Sequence, residues 1–414
     1  MTSCPAPFNA FAFALTARVL DSEIAPMRCE ILLMFQYLGV VAETLVIMTQ
    51  NIRIPSHLLP SDGRFGSGPT KVRPEGLDAL VAVADVYLGT SHRQSGVRDV
   101  VHRIRFGLAE LFSIPDGYEV VLGNGGATAF WDAAAFGLIE RRSQHLSFGA
   151  FSARFASVVA AMPHLETPEV IESPAGTHPT PAPNADIDLY ALTHNETSTG
   201  VAMSLLRPGA GIVAVDATSA AGALPVDMNE VDAYYFSPQK AFGADGGLWV
   251  AMLSPLAIER IERIAASGRA IPPFLDLASA LHNSRLDQTF NTPSLATLFL
   301  LGTQIDWMIE QGGLSWAVDR CRAMSGSVYE WAERVPYASP FVKDREMRSP
   351  VTITVNLTTN AAAVSQVLRS NGILDTEAYR KLGENQLRIG VWPATEPGDV
   401  ERLLASIEYV VDRL

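Results

Sequence analysis

Lysine is scarce in this 414-residue chain: of its 31 basic residues four are lysines, Lys71, Lys240, Lys343 and Lys381, and 27 are arginines. Chemistry that needs a primary amine therefore has few places to reside, because a guanidinium stays protonated and forms no Schiff base. Cysteine is scarcer still. Cys4, Cys29 and Cys321 offer neither a disulfide framework nor a C-x-x-C metal spacing, which points to a reducing, cytoplasmic compartment. The eight histidines include no H-E-x-x-H, so no zinc hydrolase is indicated and no metal is expected. A G-x-S-x-G elbow is also missing, which removes the usual serine hydrolase signature. Acidic residues number 44, giving a net charge of −13, and no Lys/Arg cluster forms a phosphate-tracking stripe, so no nucleic-acid partner is expected.

What is present suits a chain with a large buried core. Hydrophobic residues make up 48% and charged residues 18%, too apolar for a disordered chain, and the length allows two or three domains. One stretch is membrane-like, ILLMFQYLGVVAETLVIM from Ile31 to Met48. Gln36 and Glu43 interrupt it, and a carboxylate inside a spanning helix costs about 2.5–3.5 kcal/mol. No basic residue precedes Arg18, so a signal peptide fits worse. A membrane anchor, an amphipathic appendage, or upstream sequence read ahead of a start at Met48 remain as readings. The polar lead-in from Met48 onward favours the last, with residues 1–47 a doubtful leader and no membrane partner.

From Asp62 onward, apolar strand-like runs alternate with helix-period segments, the mark of an α/β fold with a mostly parallel sheet. Val97, Val100, Val101, Ile104, Leu108, Leu111 and Phe112 recur at helical spacing, and YEVVL then reads as a strand ending at Gly123. Further strands are expected at LYALT (189–193), IVAVD (212–216), AYYFS (233–237) and LWVAML (248–253). The proline-rich SPAGTHPTPAPN (173–184) reads as a surface loop. After Trp307 the texture changes to a helix through Cys321 and Trp331, the strand VTITVNL, a helix at AAAVSQVLRSNGI, the strand QLRIGVW and a final amphipathic helix. The expected organisation is a large domain over 48–310 and a smaller C-terminal α+β domain over 311–414.

Two glycine-rich segments can be set aside. GRFGSGPTK has Pro69 and Thr70 where a phosphate loop wants Lys and Ser/Thr, and GNGGAT has Thr128 where a dinucleotide fingerprint wants its third glycine. In LGNGGATAFWDAAAFGL, however, a glycine turn separates a strand from a helix, so backbone N–H groups near Ala127 and Thr128 face outward at a helix N-terminus, a ready anion site. A tight turn with no ligand is the ordinary alternative. Asp216 ends the apolar strand IVAVD, where a carboxylate is costly unless paired. Lys240 ends the next strand, in SPQK ahead of AFGADGG. Alone, Lys240 reads as a solvated loop lysine and Asp216 as a helix cap. Together with the upstream turn they match the three demands of pyridoxal phosphate: a lysine for its aldehyde, an acid for its ring nitrogen and a helix N-terminus for its phosphate.

These motifs resemble the phosphoserine aminotransferases, a family of fold-type-I pyridoxal-phosphate enzymes. FGSGP, GTSHR, the glycine turn, HNETSTG, VDATS, SPQK and FNTP carry the resemblance, which spans Asp62 to the C-terminus. It implies a Schiff-base lysine at Lys240, a ring-nitrogen partner at Asp216, and cofactor contacts from Gln239 and Thr197. It also implies that Asn291 and Thr292 of FNTP reach the cofactor of the other subunit in a homodimer. His92 and Arg93 are implied in substrate binding, and Arg388 as the clamp for the substrate α-carboxylate. The implied reaction is reversible amino transfer between glutamate and 3-phosphohydroxypyruvate in serine biosynthesis, with the 4-phosphohydroxythreonine step of pyridoxine synthesis left open.

Two departures from the family pattern stand out. Ala127 and Thr128 occupy a turn where many members have Gly-Arg, so one positive charge is missing, and Arg345, Arg348 and Lys343 are the available replacements. Phe151 stands where many members stack a tryptophan on the cofactor ring, and its ring still offers a π face. The rival readings are another class-V enzyme, such as an alanine–glyoxylate type aminotransferase or a cysteine desulfurase, and a non-catalytic protein that has kept the fold.

Overall fold

The computed structural model describes residues 52–414, so the reading of residues 1–47 lies outside the described residues. No helix among the described residues is long and apolar enough to cross a membrane. A seven-stranded sheet dominates. Its strands are β1 (Glu119–Asn124), β2 (Ser143–Ser147), β3 (Glu169–Glu172) and β4 (Leu189–Thr193), then, beyond a two-residue hairpin of β5 (Asn195–Glu196) and β6 (Val201–Ala202), β7 (Ile212–Asp216), β8 (Ala233–Phe236) and β9 (Leu248–Leu253). The order across the sheet is β1-β9-β8-β7-β4-β2-β3.

Strands β4, β7, β8 and β9 are buried at every position. Their unbroken apolar runs are what a sheet covered by helices on both faces requires. The pairings β2–β3, β2–β4, β4–β7 and β7–β8 are parallel, while β9 opposes both β8 and β1. Because β1 is antiparallel to β9 and β9 to β8, β1 runs in the same direction as the parallel strands. The carboxyl ends of β1, β2, β4, β7 and β8 therefore share one edge, where ligand sites form in open α/β sheets.

The strand readings at YEVVL up to Gly123, 189–193, 212–216, 233–237 and 248–253 hold, two of them with ends shifted by one residue, whereas β2 carried no apolar pattern to find. Its sequence, SQHLS, is buried because its polar groups are paired internally. Ser143 Oγ and His145 Nε2 lie 2.9 Å apart, and the Gln144 side chain exchanges two hydrogen bonds with the Ala182 backbone. The same exchange fastens the proline-rich loop to the sheet.

A three-stranded antiparallel sheet follows, β10 (Ala338–Pro340), β11 (Thr352–Leu357) and β12 (Gln386–Gly390), with the helices Gly313–Arg334, Ala361–Ser370 and Pro397–Val411 packed around it. The chain between residues 54 and 66 lies against this C-terminal part. Phe65 N donates to Leu374 O, Gly390 N to Phe65 O and Ser61 N to Asp399 Oδ1. This draws Gly66–Pro69 toward Arg388 of β12, and both line one cavity.

Candidate active site

Lys240 follows β8 by four residues and is 7% exposed. Its Nζ donates to Thr197 Oγ1 at 2.6 Å, and Thr197 Oγ1 donates in turn to Ser219 Oγ at 2.9 Å. The backbone at Gly68 lies so close that a Cβ there would come within 2.8 Å of Lys240 Cε, so only glycine fits over the lysine stem. Burial pushes the Lys240 ammonium down to about 7, against a smaller opposing pull from the Asp216 carboxylate. A neutral amine near physiological pH is a nucleophile and a proton acceptor.

That shift has a measurable consequence in the cofactor-free protein. Between pH 7 and the ordinary lysine range the native state has released a proton that the unfolded chain keeps, so raising the pH across this window stabilises the fold. After reductive ¹³C-methylation of the four lysines, one dimethyl-lysine resonance is expected to titrate with a midpoint near 7 and to vanish in Lys240→Arg. A native protein with no resonance titrating below pH 9 would contradict the buried amine.

Asp216, the last residue of β7, sits on the strand adjacent to β8 and is also 7% exposed. Trp131 Nε1 donates to its Oδ2 at 3.1 Å and Thr218 N to its Oδ1 at 2.9 Å. Burial raises its pKa, while Thr218, Lys240 and Trp131 act in the opposite direction. No ion pair within 4 Å engages this carboxylate among the described residues.

The helix Ala127–Gly137 begins just beyond β1 with Gly126 at its N-cap, φ +83°, and no capping side chain. A Cβ on Gly126 would lie 3.6 Å from Ser237 Oγ, which places the uncapped helix end beside the SPQK segment. Phe151 is the second residue of the helix Ala150–Ala160, and Lys240 Nζ lies 5.7 Å from its ring centroid. Glu196, fully buried, accepts from Phe151 N, Ser152 N, Ser152 Oγ, Ser198 N and Ser198 Oγ, and so caps this helix from a distant strand. Gly149 makes room for it, since a Cβ there would meet Glu196 Cγ at 2.3 Å.

Arg388 on β12 donates through Nη1 to Thr197 O at 3.3 Å, so Thr197 holds Lys240 by its hydroxyl and Arg388 by its carbonyl. The Arg388 guanidinium carbon lies 5.4 Å from the Tyr379 ring centroid, and the Tyr379 and Phe151 centroids are 6.1 Å apart. Burial lowers the Arg388 pKa, and its Nε is buried with no hydrogen-bond partner. Gln239 Oε1 and Thr218 Oγ1 are likewise buried and unpartnered.

A second cluster joins the remaining sequence candidates. Thr292 Oγ1 and His92 Nδ1 are 3.2 Å apart, and Asn124 Nδ2, at the end of β1, donates to the carbonyls of Asn291 and Thr292. His92 Nε2 is buried without a partner. Burial and the adjacent Arg93 lower the His92 pKa, while Arg93 itself is exposed and meets Gln288 Oε1 at 3.4 Å.

The chain reading missed Trp131, Ser219, Glu196 and Tyr379. Only Trp131 left a sequence signal, as an indole N–H in an apolar helix that needs an acceptor.

Known proteins resemble this chain in sequence and in fold. Residues 181–376 match the class-V aminotransferase family. The chain is 56% identical over 372 residues to a putative phosphoserine aminotransferase of Mycobacterium avium, covering 89% of this chain and all of that one. The structure of a phosphoserine aminotransferase from Cytophaga hutchinsonii superposes with a TM-score of 0.79 at 26% identity, over 84% of this chain and 99% of that one. The fold is also that of a phosphoserine aminotransferase from Trichomonas vaginalis with pyridoxal phosphate bound, TM-score 0.70 at 17% identity, over 84% and 99% of the two chains. A buried strand-end lysine and carboxylate, an uncapped helix N-terminus and these likenesses place the chain in the phosphoserine aminotransferase family of class-V aminotransferases.

Proposed function

We propose that this chain transfers the amino group of glutamate to 3-phosphohydroxypyruvate, reversibly, using pyridoxal phosphate held by the residues above. The observation that carries this reading is a buried amine and a buried carboxylate, Lys240 just beyond β8 and Asp216 at the end of the neighbouring parallel strand β7, neither engaged in an ion pair within 4 Å among the described residues. The site fits the cofactor. Asp216 lacks a cationic donor, the helix at Ala127 lacks a cap, and Gln239 Oε1 and Thr218 Oγ1 lack partners.

When bound, pyridoxal phosphate supplies an electron-withdrawing ring that takes up the electron pair left as the substrate Cα loses its proton. Asp216, its oxygens fixed by Trp131 and Thr218, would keep the ring nitrogen protonated. Lys240 would hold the cofactor through its amine and, when free, accept and return the Cα proton, with Thr197 Oγ1 orienting its Nζ. The backbone N–H groups of Ala127 and Thr128 would receive the cofactor phosphate. Phe151 would present its ring to the cofactor, and Gln239 a polar contact. Arg388, steadied by Thr197 O and the Tyr379 face, would grip the substrate α-carboxylate bidentately.

His92 and Arg93, beside Asn291 and Thr292, would act across a homodimer, with Asn291 and Thr292 reaching the cofactor of the other subunit. The exposed Phe290 next to them supports a covered face here. Cytoplasmic residence follows from the cysteine usage. The desulfurase alternative needs a reactive thiol, whereas Cys321 is fully buried in the helix Gly313–Arg334 and burial pushes it up to about 12.

The test is a comparison of keto acids with the cofactor-loaded enzyme and glutamate as donor. A catalytic efficiency toward 3-phosphohydroxypyruvate on the order of 100-fold above that toward hydroxypyruvate is expected, from charge-assisted contacts to the phosphate. Equal efficiencies would overturn the substrate assignment.

A further inference from the structure

Ser219 lies just beyond Asp216 in the turn after β7, is 2% exposed, and joins three hydrogen bonds through one hydroxyl. Ser219 Oγ donates to Asn195 O at 2.7 Å and accepts from Asn195 Nδ2 at 2.8 Å and from Thr197 Oγ1 at 2.9 Å. Asn195 and Thr197 are buried with it.

The direction of this chain of bonds follows from the hydrogens available. A serine hydroxyl has one hydrogen, and a backbone carbonyl can only accept. The contact with Asn195 O therefore takes the Ser219 hydrogen, and the contact between the two hydroxyls forms only if Thr197 gives its own. With that hydrogen committed, Thr197 Oγ1 meets Lys240 Nζ at 2.6 Å purely as an acceptor. A neutral amine carries two hydrogens and one lone pair. Giving a hydrogen to Thr197 turns the lone pair away from that oxygen, whereas a Thr197 hydroxyl with its hydrogen uncommitted would donate to the lone pair and mask it.

We propose that Ser219 is a positioning residue that fixes the polarity of the Thr197 hydroxyl and so keeps the lone pair of Lys240 free to attack the cofactor aldehyde. The proposal rests on the pyridoxal-phosphate reading of the site above. In the attack the lone pair bonds to the aldehyde carbon, and both amine hydrogens leave with the aldehyde oxygen as water, which gives a carbon–nitrogen double bond. Once the lysine is released by substrate, the same lone pair accepts the Cα proton. Ser219 acts on both steps through Thr197, without touching cofactor or substrate.

Stopped-flow mixing of the cofactor-free protein with pyridoxal phosphate, followed by visible absorption, reads the capture rate. Ser219→Ala is expected to slow capture about fivefold to tenfold, because the hydrogen freed on Thr197 must leave the amine before attack. Pyridoxamine phosphate carries an amine in place of the aldehyde and forms no bond with Lys240, so its equilibrium affinity is expected to change by less than about threefold. Ser219→Thr keeps the hydroxyl and should capture at the parental rate. If circular dichroism shows Ser219→Ala unfolded, Ser219→Cys takes its place with the same expectation, since a thiol is a weak donor and a weak acceptor. Capture at the parental rate, a parallel loss of affinity for both ligands, or a Ser219→Thr protein as slow as Ser219→Ala overturns the role of Ser219 and leaves parental capture as support for the site. A parent that develops no visible absorption overturns the cofactor reading and the proposal together.

Discussion

Replacing Lys240 by alanine is expected to lower kcat for amino transfer by about 10³- to 10⁴-fold, the upper range for a positioned acid–base group. The side chain is fully enclosed, its Nζ is fixed by Thr197 Oγ1 at 2.6 Å, and the Gly68 backbone closes over its stem. No other lysine can stand in: Lys71 pairs with Asp62, Lys343 bonds Pro340 O, and Lys381 lies exposed on its loop. Steady-state assay with glutamate and 3-phosphohydroxypyruvate reads the effect, and circular dichroism checks that the fold is retained. A folded variant with more than a tenth of the parental kcat would remove Lys240 from the chemistry. Because truncation also relieves the burial of an amine, stability should not fall in parallel.

Glu196→Ala is expected to have the larger effect on stability, a loss of about 4 kcal/mol, from leaving buried donors without their acceptor at about 1–3 kcal/mol each with incomplete additivity. The carboxylate receives five donors at 2.6–3.1 Å and sits at the positive end of the helix Ala150–Ala160, whose own N-cap, Gly149, has no side chain to offer. Against the 5–15 kcal/mol typical of a folded protein such a loss is large. It also frees the N-terminal turn carrying Phe151, so cofactor affinity should fall with it. Glu196→Gln keeps one acceptor oxygen and should fall between the two. Guanidinium denaturation of the cofactor-free proteins measures the difference, and a loss below about 1 kcal/mol for Glu196→Ala would show that solvent or relaxation satisfies those donors.

The proposed centre could be read in the chain where rarity and position coincided. Lys240 is one of four lysines and Asp216 a carboxylate ending an apolar strand, and each feature is local in sequence. Strands β4, β7, β8 and β9 were legible for a related reason, since burial on both faces leaves an uninterrupted apolar run. What stayed hidden depends on distant partners. SQHLS becomes a buried strand only because Gln144 finds the Ala182 backbone 38 residues away. Glu196, read within an NET motif, gives no hint that it caps a helix 45 residues upstream. The charge missing at Ala127–Thr128 was visible as an absence, whereas the pairing of Arg345 and Arg348 with Glu333, which occupies two of the available replacements, depends on partners distant in the chain.

The most direct measurement is borohydride reduction of the cofactor-loaded enzyme followed by peptide mapping. Reduction makes the link between cofactor and protein permanent, and with four lysines in the whole chain the assignment is unambiguous. The pyridoxyl group is expected on the peptide containing Lys240, with loss of the visible absorption of the loaded enzyme. A label on Lys71, Lys343 or Lys381, or none at all, would contradict a Lys240-centred site.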